Sequence, residues 1–287
     1  MPKKPVVLIT DFDRTLIPSW SKDCSRTPTA GYHDLIKYVE THKIPWYGST
    51  GRTFKMVKED PLLSELPFHG IGCTVGTELW RPQSDGTYQQ CPTFVSWMEE
   101  HQTDPGFIPF DPDHIQDRVA AIVGELDTAG KPIFVPQPEY FHNRFKVSLS
   151  LVDPRLLDEY LNRFHDALVG ISHQIIFYHG VSPVDTQRPN VTFDILHPRA
   201  SKSSTTAFCE REHPDSLIIF AGDSGNDVGA VDPHNPKHRI IVVGNAHDDF
   251  RQWVSDNFPP DRCFIGHPEQ HQEADAVIAG LRHFHSR

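Results

Sequence analysis

Three short runs of apolar residues constrain the fold of this chain more than any other feature. They are VVLIT at 6–10, SLIIFAG at 216–222 and RIIVVG at 239–244. A strand that is apolar on both faces is buried on both faces, as in a parallel sheet covered by helices on either side. Apolar residues at helical spacing follow the first run, over residues 32–39. This alternation of strands and helices predicts an α/β fold with a parallel sheet built from both ends of the chain.

The middle of the chain has a different pattern. The segment FKVSLSLV at 145–152 alternates apolar and polar residues, which is typical of an antiparallel strand with one face in water. Helical patterns flank this segment on both sides. We therefore predict an α+β domain, residues 84–192, inserted into a parallel α/β domain made of residues 1–83 and 193–287.

The acidic composition narrows the range of partners. The net charge of −11 argues against a nucleic acid or an anionic membrane as the main partner. No apolar run approaches the ~20 residues that span a bilayer, and the run near the N-terminus is too short for a signal peptide. The five cysteines are scattered without paired spacing: Cys24, Cys73, Cys91, Cys209 and Cys263. This pattern favours reduced thiols and a cytoplasmic protein over a disulfide framework or a zinc site.

Two pairs of aspartates follow buried strands of the predicted sheet. Asp11 and Asp13 come directly after the first apolar run, and the sequence GDSGND places Asp223 and Asp227 after another. Ligands bind beyond the carboxyl ends of strands in open parallel sheets. Four carboxylates at one edge would repel each other unless a cation lay among them, and hard oxygen ligands suit Mg²⁺. The sequence therefore predicts a magnesium site formed by these four aspartates, with two unrelated acidic turns as the alternative.

Further residues would complete a phosphate site. Thr50 and Gly51 end the second predicted strand, where a hydroxyl and a backbone N–H at a helix start near Gly51 can bind an anion. Lys202 lies upstream of GDSGND and can neutralise phosphate oxygens, and Asn226 lies within that motif. Taken alone, the STGR sequence at 49–52 would be a common turn and the lysine a surface charge.

Four motifs in this order resemble those of the haloacid dehalogenase superfamily. They are DFDRT, STGR, Lys202 and GDSGND, and the predicted insertion resembles the type IIB caps of that superfamily. The segments TVGTELW, FKVSLSLVD, FDILHPRASK, FAGDSGND and VGNA are similar, in sequence order, to the sucrose-6-phosphate phosphatase branch. The resemblance covers nearly the whole chain. It implies a Rossmann-like parallel-sheet core with an inserted α+β cap of the C2B type.

The resemblance also implies a reaction. Asp11 would attack the phosphorus of a sugar phosphate to form an aspartyl-phosphate, and Asp13 would act as general acid and then as general base. Mg²⁺, Lys202, Thr50 and Gly51 would hold the transferring group. The substrate implied is a small-molecule sugar phosphate, most plainly sucrose 6-phosphate, over which the cap would close.

Substrate recognition has only two candidates in the sequence, Glu78 and Lys146. Glu78 has the alternative of a carboxylate at the core edge, and Lys146 that of a solvated strand residue. The chain also departs from the branch pattern at Arg14, at Ser203 and in the segment LHPRA, and its segment between Glu78 and Lys146 is longer than in compact relatives.

Other functions stay open at this point. The nearest alternative is another type IIB sugar phosphatase, acting on a mannosyl or glucosyl glycerate phosphate or glycerol phosphate. A phosphohexomutase would share Asp11 and Asp13 but must retain the sugar after transfer. The third alternative is a non-catalytic sugar-phosphate-binding module associated with a glycosyltransferase that forms the sugar phosphate.

Overall fold

The structure is a computed structural model that describes residues 4–18, 26–100, 106–137, 143–181 and 189–286. The chain divides into two compact units, Met1–Val95 with Ser201–Arg287, and Ser96–Ala200. The second unit lies further along the chain than the insertion expected at 84–192. The reason is that the strands over residues 78–90 pair with the sheet of the first unit. The function of the second unit as a cap stays a prediction.

The first unit contains eight described strands that form one sheet. They are β1 (Val6–Thr10), β2 (Trp46–Ser49), β3 (Gly70–Cys73), β4 (Glu78–Pro82), β5 (Tyr88–Gln90), β10 (Leu217–Gly222), β11 (His238–Val242) and β12 (Cys263–Ile265). Their order in the sheet is β12-β11-β10-β1-β2-β3-β4-β5. The six strands from β12 to β3 pair in parallel, and β4 and β5 add an antiparallel edge. The parallel sheet predicted from the apolar runs is thereby confirmed.

Helices accompany this sheet in the described part of the first unit. They are α1 (Ala30–His42), α2 (Phe54–Glu59), α3 (Pro92–Glu99, which continues into the second unit), α6 (Lys202–Glu212), α7 (Asp248–Asn257) and α8 (Ala274–His285). Apolar residues of α1 and α8, among them Leu35, Val39 and Leu281, are buried in one cluster with Leu8 of β1 and Ile241 of β11. This cluster covers one face of β1 and β11, and the residues on the other face, among them Ile9 and Ile240, are buried as well.

The second unit has an antiparallel sheet and its own core. Its elements are α4 (Pro112–Val123), β6 (Phe134–Pro136), β7 (Lys146–Leu151), α5 (Leu157–Ala167), β8 (Gln174–Val181) and β9 (Pro189–Leu196). The described strands pair in the order β6-β7-β9-β8. Val147, Leu149 and Leu151 on one face of β7 pack with Phe164 of α5 and Val119 of α4. The α+β composition expected for the middle of the chain is therefore present in this unit.

The prediction of a half-solvated strand at 145–152 is wrong in one respect. The alternation is real, but all six residues of β7 are buried, including Lys146 and Ser148 on the polar face. Lys146 Nζ lies 3.0 Å from Oδ2 of Asp194, and the Ser148 hydroxyl donates to the other oxygen of that carboxylate. Because these side chains bind one another, the polar face is compatible with burial.

The sequence analysis also made predictions about membrane spans and about the cysteines. No helix within the described ranges is both long and apolar enough to cross a membrane. Cys73, Cys91, Cys209 and Cys263 are free thiols, and Cys24 lies outside the described residues.

Candidate active site

The pairing of β1 with β10 brings the two aspartate motifs together. The strands are parallel with Thr10 opposite Ala221, and the Asp11 amide donates to the Ala221 carbonyl oxygen at 3.0 Å. Asp11 and Asp223 therefore follow adjacent strands at the carboxyl edge of the sheet. Both side chains are buried.

Asp11, Asp223 and Asp227 form a compact group of carboxylates. Each offers an oxygen within 4.8 Å of the others, and within the described ranges no other group of His, Cys, Asp or Glu side chains meets this criterion for a metal site. Burial raises the pKa of Asp11 to about 7, and the charges of Asp227 and Asp223 add to the increase while Lys202 opposes it. Burial and the charge of Asp227 also raise the pKa of Asp223. The group therefore carries more negative charge than its surroundings compensate.

Lys202 supplies a positive charge to this group. It is the first residue of α6, and its Nζ lies 3.0 Å from Asp11 Oδ1 and 2.6 Å from Asp227 Oδ1. Its Nζ also donates to Asn226 Oδ1 at 3.2 Å. Burial acts to lower the pKa of Lys202, but the two carboxylates outweigh burial and the pKa is raised. The ammonium is consequently charged at neutral pH.

The start of α6 is held in place by its own cap and by a turn of the TVGT segment. The Ser201 hydroxyl accepts a bond from the Ser203 amide at 3.2 Å, and the Ser201 amide donates to Ser204 Oγ at 3.0 Å. Gly76 has φ +72°, and a Cβ on it would lie 1.9 Å from the Ser201 carbonyl oxygen. Only glycine allows this approach, so Gly76 contributes to the position of Lys202.

Asp227 holds the loop after β10. Its Oδ2 accepts bonds from the amides of Asp223 at 2.9 Å and Ser224 at 3.1 Å, while its Oδ1 binds Lys202. A Cβ on Gly222 would lie 2.5 Å from Asp227 Oδ2, so glycine is needed there too. Because both oxygens already accept hydrogen bonds, Asp227 orients Lys202 and Asp223 in this structure. Its predicted role as a metal ligand stays a prediction.

The structure does not bring the Asp13 side chain into the group. Its carboxylate is 39% exposed and accepts two bonds from Arg52, from Nε at 2.7 Å and from Nη2. The predicted roles of Asp13 as acid/base and as metal ligand remain predictions. The sequence analysis did not name Arg52 as a candidate, although Arg52 belongs to the STGR motif that pointed to Thr50 and Gly51.

Thr50 and Gly51 lie where β2 ends, but not at a helix start. The helix α2 begins at Phe54, because the Thr53 hydroxyl accepts the Met56 amide at 3.3 Å and caps it there. The expected start near Gly51 is therefore wrong. Thr50 is buried, and its Oγ1 accepts the Arg52 amide at 3.2 Å. The phosphate-binding role of Thr50, Gly51 and Asn226 stays a prediction.

Arg14 is a second functional candidate that the sequence analysis noted only as a departure. Its φ is 62°, and it exchanges two hydrogen bonds with Asn245. The guanidinium donates to the Asn245 carbonyl oxygen at 2.8 Å, and the Asn245 amide group donates to the Arg14 carbonyl oxygen at 2.7 Å. Arg14 Nε also lies 3.4 Å from Asp223 Oδ2. Arg14 thus connects the loop after β1 with the VGNA segment and with Asp223.

The two candidates for substrate recognition lie in different units. Glu78 is half-buried in β4 of the first unit and accepts the Trp80 indole N–H at 2.8 Å. Lys146 belongs to the second unit and is buried against Asp194. The alternative of a solvated strand residue is therefore wrong for Lys146. Sugar binding by either residue stays a prediction.

The donor set fits a divalent metal ion. Among the residues that the structure describes, three buried carboxylates face the Lys202 ammonium, and Arg14 Nε lies near Asp223. Buried carboxylates without full compensation are costly, so a cation among them would stabilise the ionised form. All donors are carboxylate oxygens, which suit Mg²⁺. Asp11, Asp223 and Asp227 each offer a carboxylate oxygen to such an ion, and which of them bind it stays a prediction.

The arrangement has the parts of a nucleophilic phosphoryl-transfer site. Asp11 is a buried carboxylate next to a fixed ammonium, and a metal ion would further favour its ionised, nucleophilic form. A second carboxylate, Asp13, lies two residues away on a turn and is more exposed. One buried nucleophile and one accessible acid/base group are what a two-step displacement requires.

Comparisons with known proteins show the family and the fold of this chain. A model of the sucrose-6F-phosphate phosphohydrolase family matches residues 111–285. No curated protein matches the sequence significantly. A haloacid dehalogenase-like hydrolase from Bacillus subtilis is 15% identical with a TM-score of 0.59, and the match covers 98% of this chain and 93% of that chain.

Two further solved structures have the same fold. A HAD subclass IIB sugar phosphatase is 14% identical with a TM-score of 0.52, over 97% of this chain and 98% of its own. A trehalose-6-phosphate phosphatase from Aspergillus fumigatus is 12% identical with a TM-score of 0.50, over 99% of this chain and 94% of its own. At this identity the likeness shows the fold, and it confirms the α/β haloacid dehalogenase architecture predicted from the motifs.

Proposed function

The chain belongs to the sucrose-6F-phosphate phosphohydrolase family of sugar phosphatases, and we propose that it hydrolyses sucrose 6-phosphate to sucrose and phosphate with Mg²⁺. The observation that carries the proposal is the buried contact between Asp11 and Lys202 beside Asp223 and Asp227. A protein that only binds a sugar phosphate has no need for a group of buried carboxylates beside the lysine, because their negative charge repels phosphate.

The reaction divides into two displacements. In the first, an Asp11 carboxylate oxygen attacks phosphorus, and the bond from phosphorus to the sugar oxygen breaks as Asp13 donates a proton to that oxygen. In the second, Asp13 takes a proton from water, whose oxygen attacks phosphorus and releases inorganic phosphate and free Asp11. Both displacements are consistent with a buried Asp11 and a more exposed Asp13.

Asp11 and Asp223 would hold Mg²⁺, which when bound supplies positive charge to the phosphoryl oxygens. Lys202 has two tasks in this proposal. Its charge opposes the protonation of Asp11, and it compensates charge on the transferring group. Thr50 and Gly51 would add a hydroxyl and an amide as hydrogen-bond donors to phosphate.

We propose that the second unit selects the sugar. One face of β7 and β9 carries Lys146, Ser148 and Asp194, whose charged and hydroxyl groups are of the kind that bind sugar hydroxyls. These side chains are buried and bind one another, so they would exchange these partners for the sugar. A cytoplasmic location and an association with a glycosyltransferase that forms the substrate remain predictions from the sequence.

A phosphate-release screen tests the proposal. The purified protein is assayed with sucrose 6-phosphate, mannosyl and glucosyl glycerate phosphates, glycerol phosphate and monosaccharide phosphates, with Mg²⁺ and then with EDTA. We expect Mg²⁺-dependent release that is fastest with sucrose 6-phosphate, and none from Asp11→Asn. Faster release from another sugar phosphate would contradict the substrate, and full activity in EDTA would contradict the cofactor.

A further inference from the structure

A series of ion pairs leads from Asp13 into the interior of the first unit. Arg52 binds Asp13 with its Nε and Nη2 and binds Asp60 with its Nη1, at 2.7 Å from Asp60 Oδ2. Arg26 Nη2 donates to the same Asp60 oxygen at 2.6 Å. The order in this series of ion pairs is Asp13–Arg52–Asp60–Arg26, with two positive and two negative groups.

We propose that Asp60 is a positioning residue for the reaction, which acts through Arg52 to hold Asp13 in place; this inference rests on the proposed function. Asp60 neither belongs to a motif of the site nor touches Asp13 in any hydrogen bond of the described network. Its effect is transmitted by one planar guanidinium.

Asp60 is the fixed point of this series of ion pairs. It is fully buried at the end of α2, and its Oδ1 accepts the Leu62 amide at 3.0 Å. Burial alone would raise the pKa of Asp60, but hydrogen bonds from Arg26, Arg52 and Leu62 outweigh burial and lower it. The carboxylate is therefore ionised and held by two arginines and the backbone.

The shape of arginine converts this anchor into an orientation for Asp13. A guanidinium is planar, and its N–H donors point in fixed directions. When Nη1 is held by Asp60, the opposite edge with Nε and Nη2 can point in only one direction, toward both oxygens of Asp13. The Arg52 side chain is only 8% exposed, so little water can replace either partner.

The orientation of Asp13 depends on Arg52 because much of the Asp13 side chain is exposed to solvent. Its side chain is 39% exposed, whereas Asp60 is 0% exposed. A general acid must lie within hydrogen-bond reach of the leaving oxygen, and a displacement of about 1 Å can lower the rate ~100-fold. Loss of Asp60 would remove the buried partner that fixes Arg52 Nη1 and would thereby loosen the hold on Asp13.

The test compares two leaving groups. The sugar alcohol of the natural type of substrate needs a proton as it leaves, whereas p-nitrophenolate is stable without one. The value of kcat/KM reports the first displacement, in which Asp13 acts as acid. We expect Asp60→Asn to lower kcat/KM for sucrose 6-phosphate by ~10-fold or more, and for p-nitrophenyl phosphate by less than ~3-fold.

A double variant tests whether Asp60 acts through Asp13. In the Asp13→Asn background, Asp60→Asn should cause no further loss of kcat/KM for sucrose 6-phosphate, because the group that it positions is already missing. Losses that multiply in the double variant would overturn the proposal. Equal losses for the two leaving groups in the single variant would also overturn it.

Glu212→Gln is the matched control. Glu212 is a carboxylate of the first unit that binds Arg81 and accepts the Tyr47 hydroxyl at 3.2 Å. It has a similar ion pair without a connection to Asp13 in the described network. We expect a lower melting temperature for this variant and an unchanged ratio of the two kcat/KM values. A changed ratio would mean that general destabilisation explains the effect of Asp60.

Arg52→Lys keeps the experiment decisive if Asp60→Asn fails to fold. It retains the charge but removes the planar fork, and we expect the same selective loss for sucrose 6-phosphate. If the wild type hydrolyses another sugar phosphate instead, the substrate proposal fails and the same comparison is made with that sugar phosphate. An absence of all phosphatase activity would overturn both proposals.

Discussion

The ammonium of Lys202 lies 3.0 Å from Oδ1 of Asp11, and both side chains are buried. This contact places a fixed positive charge next to the proposed nucleophile. Because α6 starts at Lys202 and is capped by Ser201, the ammonium is positioned by a helix terminus and does not depend on a flexible loop. Its consequences for activity and stability can be measured separately.

Removal of the Lys202 charge should lower both the activity and the stability of the protein. We expect Lys202→Met to lower kcat by ~100-fold or more. It should also lower the melting temperature, because breaking a buried ion pair leaves uncompensated charge and costs about 3–5 kcal/mol. Steady-state kinetics and thermal unfolding measure the two effects. The control is Lys55→Met, since Lys55 is a surface residue 82% exposed. If Lys202→Met were as active as this control, Lys202 would have no part in the reaction.

The stability of the metal-free protein should depend on pH through Asp11. Burial raises the pKa of Asp11 from its ordinary value of 3.8 to about 7, so the folded state binds this proton more tightly than the unfolded state does. The free energy of unfolding therefore falls as pH rises from about 4 to about 7. In EDTA, we expect Asp11→Asn to exceed the wild type in melting temperature by more at pH 8 than at pH 5.

A surface carboxylate provides the control for this measurement. The Asp34 side chain is 65% exposed, and the difference between Asp34→Asn and the wild type should be the same at both pH values. A constant difference for Asp11→Asn would show that the folded pKa of Asp11 lies near its ordinary value.

Loss of Asp223 should weaken metal binding. We expect Asp223→Ala to raise the Mg²⁺ concentration for half-maximal activity by ~10-fold or more, because it removes one of few anionic ligands. The rise in melting temperature caused by Mg²⁺ should also become smaller. Asp85→Ala, in an exposed turn with Thr87, is the control. An unchanged Mg²⁺ titration by both measurements would place the metal elsewhere.

The substrate should be recognised through both of its rings. We expect kcat/KM for sucrose 6-phosphate to exceed that for fructose 6-phosphate or glucose 6-phosphate by ~100-fold. The gap corresponds to about 2.7 kcal/mol, which a few hydrogen bonds to the second ring can supply. Binding energy from a remote ring can act in the transition state, so kcat should fall as well as affinity. Equal rates for monosaccharide phosphates would refute the sucrose assignment.

The sequence by itself determined the parallel sheet and the residues at its carboxyl edge. Continuous apolar runs are sufficient for β1, β10 and β11, because a strand with two apolar faces has few environments that can bury both. The meeting of Asp11 with Asp223 follows from the same argument, since residues after adjacent parallel strands lie at one edge.

Other features were decided only by the tertiary structure. The alternation in β7 predicts which face carries Lys146, but whether that face is buried depends on what covers it, and a local pattern contains no such information. Asp60 is a similar case, because Arg26 comes from a distant segment, Arg52 lies eight residues before Asp60, and no regular spacing connects Asp13 to Asp60. Such pairings arise when separate segments pack together and buried charges must find partners, so they can be seen only in the folded chain.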